Sequence, residues 1–205
     1  MPGRNILKQN VADSYYHIYA RGVNKQGIYP EAADYSFFLS LIKRYLSRSE
    51  TKSTRGADYP KLYDDIELLA YCLMPNHFHL LVYQINPGSM QNLMRRIMTS
   101  YSGYFNRKYR RSGPLFESRY RASMVTSDPY LLHISRYIHL NPLNWREYNY
   151  SSLRPYLGQT PPDWLSIYKI SQLYNSRERY LEFLEDYQDT RDDLAIIKHE
   201  LADSK

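Results

Sequence analysis

The sequence predicts an α+β fold: a ferredoxin-like βαββαβ core, an antiparallel sheet with helices on one face, and a helical C-terminal extension. Three observations lead there. Patterned segments succeed one another as strand, helix, strand, strand, helix, strand, with further helices behind. The second and third strands are separated only by Met74-Pro75-Asn76, a turn too short for anything but a hairpin. Apolar residues in the helical segments recur at spacings of three and four, and no internal repeat interrupts the order. At 205 residues the chain is long enough for one domain with decorations. Residues 1–155 form the expected core unit and 156–205 the extension.

Residues through Val11 are polar and carry no pattern. Tyr15-Tyr16-His17-Ile18-Tyr19-Ala20 is aromatic and β-branched, ends at Arg21-Gly22, and reads as the first strand. From Ala32 to Leu46, Tyr35, Phe38, Leu39, Ile42 and Leu46 make one helical stripe. Ser47 to Pro60 is a Ser/Thr/Lys/Arg loop. Ile66 to Leu73 and His77 to Gln84 are the hairpin arms. Ser89 opens the longest helix, with Met90, Leu93, Met94, Ile97, Met98, Tyr101, Tyr104 and Phe105 on one face and a basic end at Arg107 to Arg111. Tyr120 to Val125 is the fourth strand. Thr126-Ser127-Asp128-Pro129 is a helix start, with a capping side chain, an acid in the first turn and a proline whose missing N–H is no loss there. That helix stops before Asn141-Pro142. Beyond it, one helix is predicted from about Ile167 to Tyr187, then a charged tail.

Charge points to a polyanion. Lys and Arg number 27 against 21 Asp and Glu, and the isoelectric point is near 9.2. Between Ser89 and Val125 stand eight basic residues and a single acid, Glu117. The stretch from Ser176 onward holds five basic and nine acidic residues. A basic block beside an acidic tail fits a nucleic acid engaged by one surface, or else a solvated helix face. The 23 tyrosines add stacking surfaces suited to unpaired bases, although most serve as core. A lone cysteine, Cys72, excludes intramolecular disulfides and thiolate metal clusters. No signal peptide or membrane-spanning run is present, so a cytoplasmic protein without a membrane partner is expected.

The chemistry centres on His77 and His79. Residues two apart on a strand share a face, so both imidazoles emerge together while Phe78 points away. Two imidazoles on one rigid face are half of a divalent-metal site; the alternative is a pair that merely hydrogen-bonds at the sheet surface. On the helix after Ser127, Tyr130, His133 and Tyr137 fall on one stripe beside the packing stripe of Leu131, Ile134 and Ile138. Tyr130 lies in the first turn, where the helix N-terminus favours developing negative charge.

The chain resembles single-strand DNA transposases of the HUH superfamily, whose signature is two histidines around a hydrophobic residue, here His77-Phe78-His79. Within it, the chain is similar to the REP-associated tyrosine transposases of the insertion-sequence-200-like group. The stretches that carry the likeness are Tyr19-Ala20-Arg21-Gly22, Tyr71 to Val82, Tyr104-Phe105-Asn106, Arg111 to Phe116, Ser127 to Leu132 and Arg136 to Pro142. They lie in order between Tyr15 and Ser152. The resemblance implies that His77 and His79 hold Mg²⁺ or Mn²⁺ and that a tyrosine attacks DNA to give a 5′-phosphotyrosine. Tyr130 is the expected nucleophile, with Tyr101, Tyr104 and Tyr137 as rivals. The third ligand in such enzymes is often a polar residue four positions after the tyrosine; that position is Ile134, which leaves His133 as substitute. Arg107, Lys108, Arg110, Arg111, Arg119 and Arg121 are the expected DNA contacts, with Arg95 and Arg96 secondary. Implied partners are single-stranded DNA with palindromic or hairpin repeats; joining two ends needs a second protomer or sequential turnover, the protein being monomer or homodimer. A bacterial, nucleoid-associated location follows from the same likeness. Two other classes remain: a ferredoxin-like nucleic-acid-binding module without chemistry, and an HUH replication-initiator nickase, which usually carries further domains.

Overall fold

The computed structural model describes residues 10–49, 56 and 58–189. The first nine residues, most of the expected 47–60 loop beyond Ser49, and the tail from 190 lie outside the described residues. Strands β1 (Ser14–Arg21), β2 (Ile66–Met74), β3 (His77–Gln84) and β4 (Arg121–Val125) form one sheet in the order β2-β3-β1-β4, every neighbour antiparallel. Helix α1 (Ala32–Leu46) links β1 to β2, and α2 (Ser89–Lys108) links β3 to β4. The predicted βαββαβ core is borne out, most elements within a residue or two of their expected ends.

Alternation along the strands decides what each face holds. Tyr16, Ile18, Ala20, Phe78, Leu80 and Val82 point to one side and join Phe38, Leu41, Ile42, Leu93, Met94 and Ile97 of α1 and α2 in one buried cluster. The two core helices thus lie on one face, as predicted. Leu81, Cys72 and Val125 point to the other side, where they meet Leu131, Ile134 and Ile138 of α3 (Asp128–His139). The C-terminal extension completes this second layer. Short helices α4 (Leu153–Tyr156), α5 (Tyr168–Ser171) and α6 (Arg177–Glu185) place Leu153, Tyr156, Ile170, Tyr174, Tyr180 and Leu184 in the same cluster as α3. As far as it is described, the extension shares its core with α3 and does not form a core of its own.

One expectation is corrected. The helix expected from Ile167 to Tyr187 is broken: Asn175 adopts φ 65°, and Ser176 starts a new helix by accepting a hydrogen bond from the Arg179 N–H. The break turns α6 back onto α3, a direction that periodicity could not supply.

The chain that follows α3 also covers the outer edge of β2, which would otherwise offer unpaired backbone groups. Leu73 N donates to Tyr150 O, Ser152 N to Tyr71 O and Ser166 N to Leu68 O. Tyr148 and Tyr156 hydroxyls donate to the carbonyls of Leu73 and Leu69. His139 anchors the arrangement from α3, its Nε2 2.8 Å from Ser152 Oγ and its Nδ1 2.5 Å from the Tyr180 hydroxyl. Among the described residues no helix is long and apolar enough to cross a membrane.

Candidate nucleic-acid cleavage site

The two histidines stand at the start of β3, and the Pro75-Asn76 turn fixes them. Gly22 N donates to Asn76 O and Ile28 N to Pro75 O, so the end of β1 and the loop that follows it are pinned to the turn. Gly22 itself is required: a Cβ there would lie 2.3 Å from Gln26 O. In register, Arg21 stands opposite His77 and Tyr19 opposite His79, with Arg121 of β4 on the far side of Tyr19. One face therefore carries Arg21, His77, His79, Tyr19 and His17 in adjoining rows, with the Arg121 guanidinium 5.9 Å from the Tyr19 ring.

The imidazoles meet at right angles, ring centroids 5.0 Å apart. His77 Nδ1 lies 2.6 Å from Asn76 Oδ1, an acceptor, so the proton sits on Nδ1 and the neutral ring keeps its lone pair on Nε2. The amide's orientation is set by its own Nδ2, which donates to Lys25 O. His79 is buried, and its Nδ1 lies 2.9 Å from Nε2 of His17, also fully buried. His79 Nε2 is buried with no hydrogen-bond partner. Burial, aided by His17, His77 and Arg21, pushes the His79 pKa well below its ordinary value, and burial takes His17 to about 3. Both rings are neutral at physiological pH. Neutral imidazole nitrogens suit Mn²⁺ and similar divalent ions, and a buried unpartnered Nε2 is what such an ion would satisfy. The residues fit two ligands of a divalent metal.

The helix brings up a tyrosine, and it is Tyr137. Its ring lies 5.2 Å from His79 and 6.0 Å from His17, edge-on to both. Tyr130 stands elsewhere for a topological reason. β4 ends at Val125 against Tyr15, the end of β1 furthest from Arg21 and His77. Three residues later α3 begins, so its first turn sits at that far end; Asp128 acts on Tyr15 there and raises its pKa along with burial. From Tyr130 to Tyr137 is seven residues, about 10 Å along the axis at the usual rise. The first-turn placement that recommends Tyr130 is thus what separates it from the histidines.

His133 is corrected as a third ligand. Its Nδ1 lies 2.8 Å from the Arg136 guanidinium, and its ring lies beside Phe183 of α6. Arg136 is held between the rings of Phe183 and Tyr187, 4.1 and 4.3 Å from their centroids. Among the described residues no three His, Cys, Asp or Glu side chains converge on a point that would hold a metal. Lys108 is likewise committed elsewhere. It pairs at 2.7 Å with Asp34, whose side chain is buried, and at 3.1 Å with Glu31. Burial alone would raise the Asp34 carboxyl; bonds from Lys108, Tyr109, the Glu31 backbone and Tyr104 outweigh it and hold it below the usual value. Arg107, Arg110 and Arg119 are exposed. Arg111 donates to Pro114 O and lies 5.7 Å from the Phe105 ring. Sequence reading misses Arg21 and His17, although both share the parity of Tyr19 on β1.

These features define a class: an α+β protein whose antiparallel sheet offers a paired-histidine face to a tyrosine-bearing helix. Residues 61–141 match the model of the family described as "Transposase IS200 like". Among solved structures it is similar to a REP-associated tyrosine transposase bound to a REP hairpin. That likeness covers 78% of this chain and 89% of the other at 15% identity, with a TM-score of 0.55, a correspondence of fold. No curated protein matches by sequence.

Proposed function

We propose that the protein cleaves and rejoins hairpin-forming single-stranded DNA, with Tyr137 as nucleophile. The carrying observation is the Tyr137 ring set edge-on 5.2 Å from His79, whose buried Nε2 has no partner, on a face shared with Arg21 and Arg121. The transposase family and a neighbour solved with hairpin DNA support the substrate class.

His77 and His79 would hold Mg²⁺ or Mn²⁺. Taking Tyr137 as nucleophile also resolves the third ligand by position: four residues on stands Asn141, whose amide oxygen is a competent donor, where Tyr130 leads to Ile134. When bound, the ion would polarise the scissile phosphate and offset charge building on its oxygens. The chain's residues do the rest. Arg21 and Arg121 receive the phosphates flanking the break. The Tyr137 oxygen bonds to phosphorus, the bond from phosphorus to the 3′ oxygen breaks, and that oxygen leaves as a hydroxyl after taking up a proton. The phenol gives up its own proton to solvent or a nearby base. A phenol of pKa about 10 is mostly protonated at neutral pH, so the neighbouring guanidinium charge assists. The phosphotyrosine conserves the energy of the broken diester, so a 3′-hydroxyl reverses the step without ATP.

Palindromic single-stranded DNA incubated with protein and Mn²⁺ tests this on a denaturing gel. Wild type and Tyr130→Phe should give a covalent protein–DNA adduct and Tyr137→Phe none. An adduct lost in Tyr130→Phe and kept in Tyr137→Phe returns the nucleophile to Tyr130. No adduct from wild type on any hairpin leaves a DNA-binding module without chemistry.

A further inference from the structure

We propose that His17 is a positioning residue for this site: its Nε2 accepts the Nδ1–H of His79 and so presents the bare Nε2 of His79 to the metal. The inference rests on the proposal that His77 and His79 bind a divalent ion.

The geometry is specific. His17 and His79 are not directly opposed; Tyr19 faces His79, and His17 lies two residues back on β1, on the same face. From that diagonal the rings reach each other at 2.9 Å, stacked within 19° of parallel, with 0% and 1% of their surfaces exposed. The pair leaves two further buried nitrogens without partners, His17 Nδ1 and His79 Nε2. A buried unsatisfied polar group costs about 1–3 kcal/mol, so an apolar pair at these positions would pack as well without that burden. A site that needs an unpartnered lone pair explains the arrangement.

His77 repeats it. There too Nδ1 is bonded within the protein, to Asn76 Oδ1, so in the neutral ring the lone pair stands on Nε2. In His77 an oxygen acceptor fixes the proton on Nδ1. In His79 the partner is another imidazole, which either gives or takes a proton, and the surroundings decide. Either tautomer leaves one buried N–H without an acceptor, on His17 Nδ1 or on His79 Nε2, and the second would lie on the stretch of sheet face that also carries the Arg21 guanidinium. Positive charge favours a lone pair at that atom over an N–H. A ligating histidine that donates its other N–H within the protein is fixed in orientation and made more basic toward metal.

Long-range ¹H–¹⁵N spectra of the metal-free wild-type protein read the tautomer directly. The expected result is His79 protonated at Nδ1 and bare at Nε2; an Nε2–H signal for His79 overturns the proposal whatever the DNA assay gives. Calorimetric titration with Mn²⁺ supplies the second arm. His17→Phe, which removes the acceptor, should weaken binding about 10- to 100-fold, and His17→Gln, whose amide oxygen can stand near the lost Nε2, should recover most of it. Far-ultraviolet circular dichroism confirms that each variant is folded, and if His17→Phe does not fold the tautomer spectrum alone decides. Undiminished Mn²⁺ affinity in folded His17→Phe overturns the role. A wild type that ignores Mn²⁺ overturns both this role and metal binding at the histidine pair, whereas an Nε2–H tautomer with intact adduct formation overturns the role alone.

Discussion

The two faces of the sheet are made by the same strands and do opposite things. On β1 and β3, Tyr16, Ile18, Ala20, Phe78, Leu80 and Val82 are sealed against α1 and α2. Their alternate neighbours His17, Tyr19, Arg21, His77 and His79 meet α3 or solvent. A period of two allows a core and a reactive surface on one backbone, and it ties them together. A slip of one residue in the register would bury Arg21 and His77 and expose Phe78. The site is thus held in place by the apolar face behind it, and the two faces should separate cleanly under mutation.

The largest effect belongs to the reactive face. Tyr137→Phe removes one oxygen and keeps the ring that packs at His79, so adduct formation should fall by at least about 10³-fold while the unfolding midpoint stays near wild type. A midpoint shifted as much as a core deletion would mean that Tyr137 is a packing residue. The converse holds behind the sheet. Phe78 is fully buried against Phe38 and Phe116, so Phe78→Ala should cost about 3–5 kcal/mol in denaturant unfolding, with adduct yield per folded molecule largely retained. Loss of chemistry in the folded fraction would show that the faces are not separable.

A smaller effect separates the two ends of α3 by pH. His139 is buried between Ser152 and Tyr180, and burial lowers its pKa from 6.5 to about 3. Its folded pKa lies below the unfolded one, so the unfolded chain binds the proton more readily. The stability it protects is complete above pH 6.5 and declines as the pH falls toward 3. At pH 5 the loss is roughly 2 kcal/mol, at 1.36 kcal/mol per unit. Denaturant unfolding at pH 7 and 5 should show that loss in wild type and less of it in His139→Gln. An unchanged slope would mean that the Ser152 and Tyr180 bonds do not keep the ring neutral.

Much of this fold is legible in the sequence, and the misses have a common cause. Alternation and helical spacing are local, so the residue pattern by itself bounds Ala32–Leu46 and His77–Gln84 correctly. The histidine pair follows from parity alone. Choosing the tyrosine requires direction: β4 runs antiparallel to β1, so a helix that follows it starts at the end of the sheet away from His77. The strand order implies as much, but a capping signal and a helix dipole at Tyr130 are the stronger local cues. His17 has no local signal, being one imidazole in an aromatic strand, and only its diagonal to His79 gives it meaning. The break at Asn175 falls in the polar run from Asn175 to Arg179, where the apolar spacing lapses, but a lapse in spacing does not tell which way the next helix turns.

The smallest effect tests which basic residues belong to the reactive face. Arg121 stands beside Tyr19, across β1 from His79, with an exposed side chain. Lys108 belongs to the same basic block in sequence, yet its ammonium holds the buried Asp34 carboxylate at 2.7 Å. A phosphate contact releases counterions on binding, so removing one lowers the salt dependence of DNA affinity by about one unit of slope. Arg121→Ala should weaken hairpin binding across sequences and reduce that slope, leaving thermal stability alone. Lys108→Ala should leave the slope as it is and lower stability instead, since Asp34 then keeps its tyrosine and backbone donors but loses its countercharge. Fluorescence anisotropy of labelled hairpin DNA at several salt concentrations, beside thermal melts of each variant, reads both quantities. Equal slopes for the two variants would dissolve the distinction and return the whole block from Ser89 to Val125 to a single undivided DNA surface.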